Sequence, residues 1–114
     1  MAIAAVIFTT AVSFRPATSR QASKNIPDSV YAVFEKSCIT CHADDGSGMA
    51  RSKVNFDKWD SYAPEKQASK AAAINKMLTK GSMPPSGFRK NNPDLVPTDA
   101  DVARVSAWAK SLNP

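Results

Sequence analysis

The stretch Cys38-Ile39-Thr40-Cys41-His42 decides how the rest of the chain is read. It has the form C-x-x-C-H. The chain holds two cysteines and one histidine, and all three lie within this stretch. Two thiols at this spacing can each form a thioether to a vinyl group of one porphyrin. The adjoining imidazole is then held under the ring, where a nitrogen can bind iron. The spacing therefore points to covalent attachment of one c-type haem through Cys38 and Cys41, with His42 as the proximal ligand. Three other readings use the same residues. A disulfide across so short a gap is strained or redox-active and has no use for the histidine. A thioredoxin-like pair belongs beside a βαβ pattern, and the chain shows no credible succession of strands. A closed structural zinc site wants four ligands, and only these three soft or nitrogen donors are present.

At 114 residues the chain has room for one domain. So small a unit buries a limited core, and a buried porphyrin would supply much of the missing apolar contact. The formal net charge is +5. It drops by two if Arg15 and Arg20 leave with a cleaved leader. The basic residues are scattered, with no run of Lys or Arg and no interleaved aromatics, so nucleic-acid binding is unsupported. Ordinary solvated charge accounts for them; a weak docking face for an acidic redox partner is the alternative.

Residues 2–14 form an apolar run, too short to span a bilayer, which takes about 20 residues. It suits the hydrophobic part of a secretory signal, although the usual basic start is missing. Residues 1–22 are therefore read as a signal peptide or an uncleaved N-terminal anchor. Residues 23–28 are read as a linker and 29–114 as the folded domain. Export to the periplasm, free or membrane-associated, suits the chemistry, because bacteria attach c-type haem outside the cytoplasm.

A first helix is expected from Asp28 or Ser29 to Lys36 or Ser37, with Val30, Val33 and Phe34 at helical spacing. Phe34 lies four residues before Cys38, on the same helix face, and should pack against the last helix. Ala43 to Met49 reads as a solvated loop; its aspartates lack the ligand spacing of a calcium-binding EF-hand. Phe56, Trp59 and Tyr62 recur every three residues and should wall the haem pocket. Trp59 is the candidate to donate its indole N–H to a haem propionate.

The next helix is well marked. Pro64 suits its first turn and Gly81 its C-terminal stop, with Ala71, Ile74 and Leu78 as the stripe and Met77 as helix core. Gly81-Ser82-Met83-Pro84-Pro85 follows. Proline fixes φ and cannot continue a helix, so this segment should be extended and rigid. A thioether is a weak donor and needs such a mount. Met83 is the expected distal iron ligand, with Pro84 bracing it beside the cofactor. Met49 is too close in sequence to His42 to reach the opposite haem face easily. Phe88 to Pro97 reads as a polar loop. Thr98 is a natural N-cap for the closing helix, whose Trp108 should cross the first helix near Phe34.

With these residues assembled, the chain resembles the small single-haem cytochromes c of class I, in particular their short bacterial haem-binding-domain variants. The likeness runs from about Ser29 to Leu112. It rests on Phe34, Cys38, Cys41, His42, the Gly81 to Pro85 segment and the closing helix with Trp108. The resemblance implies an all-α cytochrome c fold, three to four helices around one covalent haem c, with the first and last helices crossing. It implies electron transfer, with His42 and Met83 filling both axial positions and leaving no open site. No enzymatic activity and no small-molecule substrate are expected. The implied partners are other redox proteins or a membrane respiratory complex. The chain departs from the family at one point. Many members carry a Gly-Pro pair after the histidine, whose proline carbonyl accepts the imidazole hydrogen bond. No proline lies between His42 and Asp60, so a backbone carbonyl within Met49 to Asn55 is expected instead.

The residues leave other functions open. A haem sensor would have Met83 labile or unbound. A subunit permanently docked in a larger redox complex would share the same site. A peroxidase-like enzyme wants distal acid–base residues, and there is no second histidine.

Overall fold

The computed structural model describes residues 23–114. The leader or anchor expected over residues 1–22 lies outside the described residues. The architecture is all-α, as expected. Among the described residues five helices run in order: α1 (Asp28–Ser37), α2 (Gly48–Lys53), α3 (Pro64–Lys80), α4 (Ser86–Asn91) and α5 (Asp99–Leu112). Short 3₁₀ turns occupy Phe56–Ser61 and Pro93–Leu95. Among the described residues no helix is long and apolar enough to cross a membrane.

The long helices begin and end where local chemistry says they should. Pro64 opens α3, and Gly81 closes it in the left-handed region at φ 73°. Thr98 caps α5 in a reciprocal box: its hydroxyl accepts from Asp101 N–H at 3.1 Å, and the Asp101 carboxylate accepts from Thr98 N–H at 2.9 Å. Asp101 is buried and also receives Lys36 Nζ from α1 at 2.6 Å and Arg104 at 3.0 Å. Burial alone would raise its pKa. The Lys36 and Thr98 hydrogen bonds outweigh burial and hold the carboxyl below its ordinary value.

The core is aromatic. Phe34 of α1 meets Trp108 of α5 edge-on at 5.5 Å, the crossing the sequence anticipates. Phe34 also stacks on Phe56 at 4.5 Å, and Trp59 lies 6.1 Å from Phe56 and 5.5 Å from Trp108. The α1–α5 crossing is not the main contact of α5, however, which packs more extensively on α3. Ala71 and Ala109 are both buried there, small enough to let backbones approach.

Two stretches read wholly or partly as loop are helical. Residues 48–53 wind into α2, capped by the Ser47 hydroxyl, which accepts from Ala50 N–H at 3.2 Å. The stretch read as a loop after Phe88 holds most of α4 and the second 3₁₀ turn. Both helices are six residues long and lack an apolar stripe. Residues 23–28, read as a linker, lie against the folded domain. Ile26 is buried in the core, and Asp60 accepts hydrogen bonds from Ser23 Oγ, Lys24 N–H and Asn25 N–H. These donors, Ser23 foremost, hold the Asp60 carboxyl below its usual pKa.

Candidate haem-binding cleft

The Cys38 to His42 stretch continues α1 by one further turn. Cys38 N–H donates to Phe34 O at 2.8 Å, and His42 N–H donates to Cys38 O at 3.0 Å. The chain then doubles back so closely that a Cβ on Gly46 would fall 2.0 Å from the Cys41 carbonyl oxygen. Glycine is therefore required sterically at this position. Asp44 anchors the returning loop: its carboxylate accepts from Asn55 Nδ2 at 2.8 Å, and its carbonyl accepts from Arg51 at 2.9 Å. The loop read as merely solvated is a clip.

His42 is oriented by backbone. Its Nδ1 lies 2.9 Å from Ala50 O and 3.0 Å from Val54 O. Carbonyl oxygens only accept, so Nδ1 must carry the proton. In the neutral imidazole Nε2 then holds a free lone pair, the form that ligates iron. Both acceptors fall within the Met49 to Asn55 window where the carbonyl was expected.

Cys38, Cys41, His42, Met83 and Pro84 line one cleft of about 520 Å³. This volume lies within the roughly 300–1,000 Å³ typical of cofactor and ligand sites. Residues far apart in sequence thus meet in one place. Phe56, Val54, Ile74, Leu78 and Phe88 supply its apolar walls. Cys38 and Cys41 are free thiols, and burial, aided by Cys41, pushes the Cys38 pKa up to about 12. Among the described residues no group of three or more His, Cys, Asp and Glu is placed to hold a metal ion. An apolar cleft, two free thiols on its wall, an imidazole with Nε2 available and a thioether suit a haem.

Three methionines reach this cleft: Met49, Met77 and Met83. Met77, read as helix core, instead faces the cleft and is 39% exposed, because the α3 surface beside its buried stripe borders the cavity. Trp59 sits elsewhere. It is fully buried behind Phe56 and is not among the residues that line the cleft. Its indole N–H has no partner among the described residues. Tyr62 likewise stays off the cleft wall, its hydroxyl within 3.1 Å of Asn55 N–H. Of the three aromatics expected to wall the pocket, only Phe56 does.

Sequence reading missed Arg89. Its Nε donates to Pro84 O at 2.8 Å and its Nη2 to Met83 O at 2.9 Å, gripping the Met-Pro segment from α4. The Met83–Pro84 bond it holds is cis.

A family model described as a haem-binding domain matches residues 48–111, more than half of the chain. The chain belongs to the haem-binding domain family. The matched span starts at the first residue of α2 and includes Met83, but leaves Cys38, Cys41 and His42 outside. The haem assignment thus stands on two separate stretches, the family span and the C-x-x-C-H turn, which share one cleft. Searches of the curated proteins and of the solved structures return no match.

Proposed function

We propose that this haem-binding domain is an electron-transfer protein. In this reading one haem is attached covalently through Cys38 and Cys41, with His42 and Met83 as axial ligands. The observation that carries the reading is the fixed imidazole: two carbonyls hold the Nδ1 proton, and Nε2 is left for iron in a cleft that Met83 also lines. The haem when bound supplies a one-electron couple. The chain's own residues set its conditions. His42 and Met83 would hold the iron from its two sides, which would leave no site for substrate. The soft Met83 thioether favours the ferrous state and raises the potential. The apolar walls disfavour the extra charge of the ferric state.

The ionisable side chains lining the cleft are Cys38, Cys41, His42, Lys53 and Lys70, with no distal carboxylate or second imidazole to serve as an acid–base pair. This supports a carrier over an enzyme. The proposed partners are other redox proteins or a membrane respiratory complex, met in the periplasm through a small, transient interface. The test is a visible spectrum of the purified protein, oxidised and reduced, with a pyridine haemochrome assay. Covalent haem and a weak long-wavelength methionine charge-transfer band in the ferric form are expected. The band should vanish in Met83→Ala and persist in Met49→Ala and Met77→Ala. Absence of covalent haem overturns the attachment, and rapid carbon monoxide binding to the reduced protein overturns the closed site.

A further inference from the structure

The cationic side chains of the cleft gather in one place. Lys53 and Lys70 line it, and no Asp, Glu or Arg does. Lys53 ends α2 and Lys70 projects from the middle of α3, yet the two are joined: Lys70 Nζ donates to the Lys53 carbonyl. Lys66, one turn before Lys70, adds a third cation. The Lys66 and Lys70 ammonium groups lie 4.9 Å and 5.0 Å from the centroid of the Tyr62 ring. Like charges four residues apart on a helix repel. The ion pairs formed among the described residues, Lys36 and Arg104 with Asp101, leave these three lysines without a carboxylate. Burial and Lys66 together hold the Lys70 ammonium below the ordinary lysine pKa, the mark of a cation short of a counter-charge.

A haem carries two carboxylates, and an apolar wall cannot hold them unpaired. We propose that Lys53 and Lys70 form the carboxylate-binding end of the cleft and receive the haem propionates. The assignment rests on the haem reading, but not on thioether formation or on Met83 as a ligand. It moves the propionate contact from Trp59, which does not line the cleft, to a pair of cations that does. The two lysines would hold the propionate edge of the haem while His42 would hold its iron.

The experiment uses the haem-loaded protein and follows its midpoint potential against pH, with Lys53→Gln/Lys70→Gln compared with the parent. A nearby cation lowers a carboxylate pKa by about 1–3 units. In the double variant the acid-side pH at which the potential begins to vary should therefore rise by about that much. The potential at neutral pH should fall, because a positive field that opposed the ferric state is gone. Lys53→Arg/Lys70→Arg should restore both, and Lys66→Gln, off the cleft wall, should move them less. If the double variant loses its haem, each single glutamine variant carries the same readout. A haem-loaded variant whose pH profile overlays the parent overturns the lysine assignment and leaves the haem reading intact. A parent protein that binds no haem overturns both.

Discussion

Arg89 grips the backbone of Met83: its Nη2 donates to the Met83 carbonyl at 2.9 Å while its Nε holds Pro84. The side chain comes from α4, a six-residue helix with no buried residue of its own. The position of the proposed iron ligand is thus set by a cation beyond the two prolines that sequence reading credited. In Arg89→Ala the haem should stay attached, since Cys38, Cys41 and His42 are untouched. The methionine charge-transfer band should weaken and carbon monoxide should bind the reduced protein faster. Arg89→Lys, with one point charge in place of a planar fork, should recover only part of this. A variant that merely unfolds more easily would leave the folded-state spectrum unchanged.

Gly46 and Gly87 should respond oppositely to the same change. A methyl at Gly46 meets the Cys41 carbonyl, which is backbone and cannot step aside. Gly46→Ala should cost about 1–3 kcal/mol, as overpacking does, and should lower haem incorporation by displacing Cys41 and His42. Gly87, inside α4, has nothing within 4 Å of a built Cβ. Gly87→Ala should stabilise by about 0.4–1 kcal/mol through the unfolded chain. Paired denaturant titrations of the two variants give the comparison.

Asp101 makes stability depend on pH. Its folded pKa is lowered, so its contribution is complete above the ordinary aspartate value of about 3.9 and is lost as pH falls through the folded value. Asp101→Asn should cost about 1–3 kcal/mol at neutral pH, by loss of the Lys36 pair and weakening of the cap. The difference between parent and variant should shrink as titrations are carried to progressively lower pH below about 4.

Trp59 separates packing from cofactor contact. Trp59→Ala should cost about 3–5 kcal/mol, the range for emptying a buried aromatic site. Trp59→Phe removes the unpartnered indole N–H and should leave the midpoint potential and its pH profile where they were. A profile shifted by Trp59→Phe would return the propionate to the tryptophan.

What could be read from the sequence was what is local. C-x-x-C-H, Pro64 with Gly81, and Thr98 before two acids each act within one or two turns, and each stands where it was expected. The Phe34–Trp108 contact was also legible, because both residues lie on apolar stripes of long helices. The misses share a cause. α2 and α4 are too short to carry a periodic signal, and contacts such as the Asn55–Asp44 and Arg89 hydrogen bonds hold their surroundings in place. Met77 was read as core because a stripe facing a core and a stripe facing a cofactor cleft have the same period. The placement of Lys53 beside Lys70 needs the tertiary fold and has no sequence signature.

The acceptors of the His42 proton are the carbonyls of Ala50 and Val54, which every residue type possesses. The acceptors therefore set no side-chain requirement of their own at Ala50 and Val54; the path that delivers them rests on the Gly46 clearance, the Asp44 contacts and the Ser47 cap. Length is not free. A single inserted or deleted codon would carry both oxygens out of line with Nδ1 and undo the ligand without touching it. The site thus depends on a count of residues as well as on their kinds.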